Sequence, residues 1–317
     1  MQKTGYFTHP DCRRHDMGRG HPECPERLDA IEDRLLVSGV GDALDRREAP
    51  LASTELLELA HERMHVASIR GLADELREQE DAGGMDHLHI DPDTAMNRHT
   101  WNAVLRAAGA ALAATDAVMG GELENAFCAV RPPGHHATRG RAMGFCFFNN
   151  VAVAARYALE RHGLKRVAVV DFDVHHGNGT EDILAGDERV LMVGIFQHPF
   201  YPYSGADAYA DNMVNVPVPA FTKGPAIREI VEEQWLPRLE AFAPEMIFIS
   251  AGFDAHREDD LGQLGLVEAD YAWITQRIRE VARRHAQGRI VSCLEGGYNL
   301  SALGRSVEAH LRALADL

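Results

Sequence analysis

The segment Val167–Thr180 reads VAVVDFDVHHGNGT and carries most of the information about fold and chemistry in this chain. Its apolar start is typical of a buried strand, and Asp171, Asp173 and His175 follow at alternate positions. In an extended chain, side chains two residues apart point to the same face. Because two carboxylates and an imidazole are costly to bury without a cation or hydrogen bonds, the segment predicts a metal site at a strand end.

Similar apolar runs alternate with helical patterns along the chain. The predicted strands are Ala126–Val130, Arg166–Val170, Val190–Phe196, Met246–Ala251 and Arg289–Leu294. The predicted helices are Pro25–Leu36, Trp101–Met119, Asn149–Arg161, Lys223–Ala241 and Glu268–His285. Strands this continuously apolar are typical of a parallel sheet covered on both faces. The sequence therefore predicts an α/β fold with three layers, α/β/α, around a central parallel sheet, in a single domain over residues 1–317.

Polar side chains come just after four of these strands. In chain order they are His135 and His136, then Asp173 and His175, then Asp254, and finally Tyr298. Open α/β sheets carry their sites at the carboxyl ends of their strands. We therefore expect these groups to share one site.

Asp173, His175 and Asp254 form the predicted metal-binding set. Three protein ligands that leave a position open for water are typical of catalytic zinc sites rather than structural ones. Because the set is rich in oxygen, Fe(II), Co(II) and Mn(II) are alternatives to Zn²⁺. The simpler alternative is a strand end with capping acids and no metal.

Other motifs supply further chemical groups. RPPGHH (Arg131–His136) holds two histidines in a proline-restricted loop, where they can act as general base and general acid beside a metal. LEGGYNL (Leu294–Leu300) projects Tyr298, whose phenol can donate to an oxyanion. MGFCFFNN (Met143–Asn150) and QHPFYP (Gln197–Pro202) add aromatic residues that either line a channel or pack in the core.

Composition narrows the range of partners. The chain has 317 residues with 32 basic and 48 acidic side chains, and its formal charge of −16 argues against a nucleic-acid surface. A basic peptide remains compatible with that charge. Five cysteines, an odd number mostly in apolar contexts, predict reduced thiols. With no apolar signal core and no membrane-spanning run, we expect a cytoplasmic protein that does not bind membranes.

The N-terminal run His9–Cys24 (HPDCRRHDMGRGHPEC) suggests a second metal site. Its candidate ligands are Cys12, His15, His21 and Cys24. Their spacing does not match the usual zinc-finger pattern, so a loop at the rim of the site is the favoured interpretation.

Taken together, the motifs resemble the histone deacetylase family of zinc amidohydrolases, including its bacterial amidohydrolase and acetylpolyamine amidohydrolase members. The matching segments, in the family's order, are HPECPERL (His21–Leu28), RPPGHH, GFCFFNN, VVDFDVHHGNGT, SAGFDAH (Ser250–His256) and LEGGY. The resemblance implies an arginase/deacetylase-like fold. It also implies hydrolysis of the amide of acetyl-lysine or of another acylated primary amine.

The resemblance also implies roles by motif position. It implies a metal bound by Asp173, His175 and Asp254, with His136 as general base and then acid. It implies that His135 is the electrostatic partner of His136, that Asp171 orients His135, and that Tyr298 polarises the carbonyl. It implies a substrate tunnel at Phe145, Tyr201, Leu261 and Gly296, and an internal cavity at Arg27. It further implies K⁺ bound through Asp171 and the backbone carbonyls around Asp173 and His175.

Two positions depart from parts of the family pattern. Asn178 would orient His136 where class I members have an aspartate, and an uncharged amide should leave His136 less basic. Leu261 stands where eukaryotic polyamine deacetylases have a glutamate, which weighs against that kind of polyamine selectivity. We therefore place acylated lysine first and acetylpolyamines second as substrates.

Two other functions remain open at this point. One is a non-catalytic protein that binds acyl ligands. The other is a two-metal hydrolase of the arginase type, with Asp171 and His176 as extra ligands. The sequence does not determine the oligomeric state, and a homodimer is compatible with it.

Overall fold

A parallel sheet of eight strands forms the centre of the structure, a computed structural model that describes residues 3–317. The strands in this part of the chain are β1 (Thr4–Thr8), β2 (Asp45–Glu48), β3 (His87–His89), β4 (Ala95–Asn97), β5 (Asn125–Cys128), β6 (Val167–Asp171), β7 (Val190–Gln197), β8 (Met213–Val218), β9 (Met246–Ala251) and β10 (Ile290–Leu294). Their order in the sheet is β2-β1-β5-β10-β9-β6-β7-β8, and every neighbouring pair is parallel. β3 and β4 form a separate antiparallel pair.

Helices flank this sheet. They are α1 (Asp11–Arg14), α2 (Glu26–Ser38), α3 (Thr54–Leu57), α4 (Arg63–Asp81), α5 (Thr100–Met119), α6 (Asn150–Glu160), α7 (Asn178–Leu184), α8 (Gly224–Ile230), α9 (Leu236–Phe242), α10 (Glu268–His285) and α11 (Leu300–Ala315). α11 packs against α2 and α10, while α5 packs against α6. Every residue of β6, β9 and β10 is buried, as expected for apolar strands covered on both faces. The predicted α/β class is confirmed.

The elements that the sequence analysis named lie within two residues of the predicted bounds, with one exception. The predicted helix Lys223–Ala241 is interrupted by a π-helical turn over Val231–Trp235, which separates α8 from α9. Pro237 lies in the first turn of α9 and has no N–H to continue the α-helical ladder, which gives the interruption a physical cause.

Several elements were missed. β2 reads DRRE and lies at the edge of the sheet, so it carries no apolar signal. β1, β8, α4 and α11 were also not predicted. Within residues 3–317, no helix is both long and apolar enough to span a membrane.

Candidate metal centre and active site

The residues predicted to form the site follow the four central strands of the sheet. β5, β10, β9 and β6 are consecutive neighbours. The loops that follow them hold, in that spatial order, the histidine pair, Tyr298, Asp254, and Asp173 with His175. Because parallel strands end at the same edge, residues more than 160 positions apart in the chain meet there.

Asp173, His175 and Asp254 lie together as a group that could hold a metal ion. Each offers one ligand atom, and these atoms lie within 4.8 Å of one another; no other group of three such residues occurs within residues 3–317. His175 Nδ1 is 3.0 Å from Asp173 Oδ1 and 3.2 Å from Asp254 Oδ2. Asp254 Oδ2 is buried and has no hydrogen-bond donor in the described part of the chain. A buried carboxylate oxygen without a donor is costly, so the donor set fits a divalent cation.

Burial and proximity also shift the pKa values of this cluster. Burial and the neighbouring Asp173 raise the pKa of Asp254 to about 7. Burial opposes the charged form of His175, but its close contacts with the carboxylates of Asp173 and Asp254 prevail and raise its pKa to about 9. A cation bound here would compete with those protons, so metal binding should release protons.

Backbone N–H groups hold the two carboxylates in place. Asp173 Oδ1 accepts from the N–H of His175, and its Oδ2 accepts from the N–H of Gly296, both at 2.9 Å. Asp254 Oδ1 accepts from the N–H of Val174, also at 2.9 Å. A Cβ built on Gly296 would lie 1.9 Å from Asp254 Oδ2. Gly296 was predicted to line the tunnel, but the structure places it against the carboxylates, where no side chain fits.

The adjacent histidines have different partners. His135 Nδ1 is 3.0 Å from Asp171 Oδ2, His136 Nδ1 is 2.7 Å from Asn178 Oδ1, and the two ring centroids are 4.0 Å apart. A further residue, missed by the sequence analysis, supports the loop: Glu295 Oε2 accepts from the N–H groups of Gly134 at 2.6 Å and His135 at 3.0 Å. Glu295 lies inside the LEGGY motif, so its position was visible but its role was not.

The pKa values of the two histidines move in opposite directions. Burial alone would lower the pKa of His135, but Asp173 and Asp171 outweigh it and raise that pKa well above its usual range. Burial, then His135 and His175, hold the pKa of His136 well below its usual range. Burial is therefore the main cause for His136, and the hydrogen bond to Asn178 acts in the opposite sense. Paired groups with divergent pKa values are typical of acid–base sites.

A cavity of about 260 Å³ lies beside the histidines. Its lining residues are Asp93, His136, Gly144, Phe145, His175, Phe200, Tyr201, Asp260, Leu261 and Tyr298. Phe200 stacks on the His175 ring at 5.4 Å and 17°. Phe200 was not predicted, although it adjoins Tyr201 in QHPFYP. Asp93 and Asp260 were not predicted either, because no motif distinguishes them.

Arg27 holds the backbone that leads to Tyr298. It is fully buried and donates from Nε to the Gly297 carbonyl at 2.7 Å and from Nη2 to the Glu295 carbonyl at 2.5 Å. Its guanidinium carbon lies 4.9 Å from the centroid of the Tyr298 ring, and it pairs with Glu23 at 3.0 Å. Arg27 thus stabilises the glycine turn beneath the tyrosine.

The N-terminal run does not form a second metal group within the described residues. Cys12 and His15 are fully buried, and His15 Nδ1 is 2.8 Å from Thr100 Oγ1. His21 packs edge-on against Phe145 at 4.7 Å. The rim-loop interpretation therefore fits His21, whereas Cys12 and His15 lie in the interior, where their backbone carbonyls both accept from Arg131.

His176 and Asp171 also lie outside the metal-binding group. His176 Nδ1 is 2.8 Å from Ser204 Oγ, and its Nε2 is 3.1 Å from Glu181 Oε2. Among residues 3–317 the geometry therefore gives no second set of three ligands for the arginase-type alternative.

Fold and site together define a class: an α/β protein with a candidate metal centre, a histidine pair and a tyrosine at the carboxyl edge of its parallel sheet. Comparison with known proteins agrees with that class. A family model described as a histone deacetylase domain matches residues 21–314. The chain belongs to the histone deacetylase family.

Individual relatives give the same family. The histone deacetylase-like amidohydrolase of Pseudomonas aeruginosa is 39% identical over 287 residues, which are 88% of this chain and 73% of that protein. The type-2 histone deacetylase 2 of Dictyostelium discoideum is 42% identical over 246 residues, which are 71% of this chain but only 14% of that much longer protein. The crystal structure of the HDA15 HD domain has a TM-score of 0.89 at 32% identity and covers 99% of this chain and 88% of that chain. Deacetylase and amidohydrolase relatives support a hydrolase.

Proposed function

We propose that this protein is a metal-dependent deacylase that hydrolyses the amide of acetyl-lysine or of another acylated primary amine. One observation carries the proposal. His136, Tyr298 and the imidazole of the carboxylate–histidine cluster all line the same cavity of about 260 Å³. A base, a phenol donor and a cation site around one apolar-walled cavity are the parts that amide hydrolysis requires.

Asp173, His175 and Asp254 would hold the metal. We propose Zn²⁺, with Fe²⁺ and Co²⁺ as alternatives, because a set of two carboxylates and one imidazole suits all three. When bound, such an ion supplies Lewis acidity that makes a water more acidic and polarises the amide carbonyl. We also propose K⁺ as a structural ion near Asp171.

The remaining steps belong to the chain's own side chains. His136 is neutral at neutral pH because its pKa is lowered, so it can accept a proton from the attacking water. It would then return that proton to the departing amine. The pKa of His135, which is hydrogen-bonded to Asp171, is raised, so His135 stays protonated and places a positive charge beside His136. Tyr298, which lines the same cavity, would donate to the developing oxyanion.

The cavity walls would hold the substrate. Phe145 and Tyr201 offer aromatic faces to an aliphatic linker, and Leu261 adds an apolar contact. Exclusion of water by these walls strengthens the electrostatic contacts inside.

The test is a substrate panel with reconstituted metal. Metal-depleted protein would be loaded with Zn²⁺, Fe²⁺ or Co²⁺ and assayed for acetate release from acetyl-lysine peptides. The variant Asp254→Asn serves as the metal-site control and should lose both metal and activity. If fully loaded protein released no product from any acylated amine, the proposal would be abandoned, and a non-catalytic acyl-ligand protein would replace it.

Acetylpolyamines are the second candidate substrates. Asp93 and Asp260 line the cavity and could pair with a distant ammonium group, although Leu261 offers no charge there. Turnover of N-acetylputrescine, acetylspermidine and acetyl-lysine peptides should be compared. A strong preference for the polyamines would reverse our order.

Two further predictions accompany this proposal. We propose one catalytic domain over residues 1–317, supported by the single eight-stranded sheet to which all four loops of the site attach. A cytoplasmic location stays a prediction, supported by five cysteines that are all free. The oligomeric state is left open by the sequence, with which a homodimer is compatible.

A further inference from the structure

Asp259 connects two loops of the candidate active site. Its side chain is buried, with 6% exposure. Oδ2 accepts from the N–H groups of Tyr298 at 2.6 Å and Asn299 at 2.9 Å, and Oδ1 accepts from the N–H of Leu261 at 3.0 Å. One carboxylate therefore holds both the tyrosine that we propose as oxyanion donor and the leucine that lines the cavity.

Arg27 holds the glycine turn that precedes Tyr298, and Asp259 accepts from the two N–H groups that follow that turn. Gly296 and Gly297 precede Tyr298, and Gly297 has a φ of +118°, a conformation that favours glycine. Asn299 then caps α11 by accepting from the N–H of Ala302 at 3.0 Å. The N–H groups just before the first turn of a helix favour a carboxylate, and ionised acceptors make the stronger hydrogen bonds.

The Tyr298 ring itself is held only by packing contacts among the described residues. Arg27 lies over the ring at 4.9 Å, and Phe145 meets it edge-on at 5.8 Å. Neither contact fixes how far the ring reaches into the cavity. The reach of the ring depends on the position of the Tyr298 backbone, whose N–H donates to Asp259 and whose preceding carbonyl, on Gly297, accepts from Arg27.

We propose that Asp259 is a positioning residue that places the Tyr298 hydroxyl for oxyanion stabilisation. The inference rests on the proposed function, in which Tyr298 is the donor. A misplacement of about 1 Å is enough to cost about 100-fold in rate at such a site. Asp259 therefore acts on the reaction through Tyr298.

A kinetic double-mutant cycle separates this role from a general structural one. Asp259→Ala should lower kcat by about 10- to 100-fold in the wild-type background. In a Tyr298→Phe background the same change should lower kcat by less than about 3-fold, because the hydroxyl that it positions is already absent. Asp259→Asn keeps one acceptor oxygen and should show a smaller loss, and it replaces Asp259→Ala if that variant does not fold.

Glu258→Ala is the matched control. Glu258 is the exposed neighbour, and its ion pair with Arg305 at 2.8 Å lies outside the cavity lining. This variant should keep wild-type kcat. Equal losses from Asp259→Ala in both tyrosine backgrounds would overturn the inference, as would an equal loss in Glu258→Ala.

Hydrogen–deuterium exchange provides a readout that needs no substrate. In Asp259→Ala, the amides of Tyr298 and Asn299 should exchange faster, while those of the central strands keep their protection. Unchanged protection at these two amides would overturn the inference. Absence of turnover by the wild-type protein would instead refute the proposed function and leave the exchange result to decide the positioning role.

Discussion

Substitution of Gly296 would perturb two proposed metal ligands at once. A Cβ atom at this position would lie 1.9 Å from Asp254 Oδ2 and 2.7 Å from Asp173 Oδ2. Non-bonded heavy atoms prefer separations of about 3.5 Å, so Gly296→Ala requires Asp254 to move by roughly 1 Å or more. Both carboxylates are fully or almost fully buried, so neither can move aside into solvent.

The size of this shift determines the expected loss of metal affinity. Ligand distances in a metal site tolerate changes of about 0.2 Å, so a displaced Asp254 cannot bind in the original geometry. Changes that only touch the partners of a ligand already cost about 10- to 100-fold in affinity. We therefore expect Gly296→Ala to weaken Zn²⁺ binding by at least about 100-fold and to destabilise the fold by about 1–3 kcal/mol through overpacking.

The assay is a chelator-competition titration of metal-depleted protein with Zn²⁺, with folding checked by circular dichroism. Gly71→Ala is the matched control. Gly71 is exposed in α4, and a Cβ there would have no heavy atom within 4 Å. This control should bind metal like the wild type and gain up to about 1 kcal/mol from helix propensity. Folded Gly296→Ala protein with wild-type Zn²⁺ affinity would refute the assignment of the metal centre.

Three other outcomes are expected. Tyr298→Phe should lower kcat by about 10²–10³ with little change in KM, measured by acetate release; a loss below about 3-fold would remove Tyr298 from the mechanism. Burial lowers the pKa of His310 from 6.5 to about 3. On acidification the His310 ring therefore takes up a proton in the unfolded chain at a higher pH than in the folded protein. The His310 contribution to stability is complete above pH 6.5 and is lost as the pH falls toward 3. At about 1.4 kcal/mol per pH unit, the free energy of unfolding of His310→Asn should fall by about 2 kcal/mol less than that of the wild type between pH 7.5 and pH 5, measured by urea denaturation. Identical falls in the two proteins would contradict the lowered pKa of His310. Leu261→Glu should raise the ratio of kcat/KM for acetylspermidine to that for acetyl-lysine peptide by about 10-fold, or 1.4 kcal/mol; an unchanged ratio would exclude charge at this position as the selector.

The local parts of this protein could be read from its sequence. Continuous apolar runs predicted β6, β9 and β10 to within one residue, because burial on both faces leaves a clear signal. The same approach failed for β2, whose DRRE sequence pairs through its backbone at the edge of the sheet. It also failed at the π-helical turn before Pro237, since the apolar pattern continues through the interruption.

Parts of the site were likewise beyond a local pattern. Gly296 belonged to a recognised motif, but only the fold shows that it touches Asp254. Asp259 lay outside the quoted motifs, although it bonds to Tyr298. Contacts between residues far apart in the chain depend on where whole strands lie.

The alternate spacing of Asp173 and His175 is a local property of the sequence, and it predicted that the two side chains would lie together. They do lie together, although both follow the end of β6 at Asp171 and are not part of the strand. That spacing did not by itself pair Asp171 with His135 of a different loop; the family resemblance implied this pairing, and His135 Nδ1 lies 3.0 Å from Asp171 Oδ2. Which loops meet is decided by the strand order β5-β10-β9-β6, and that order arises from long-range backbone pairing and helix packing. The sequence alone therefore determined the chemical groups and their strand ends, and the family resemblance implied the Asp171–His135 and Asn178–His136 pairs. The tertiary structure determined the other contacts, such as those of Gly296 and Asp259, because only the assembled sheet joins four separate loops around one cavity.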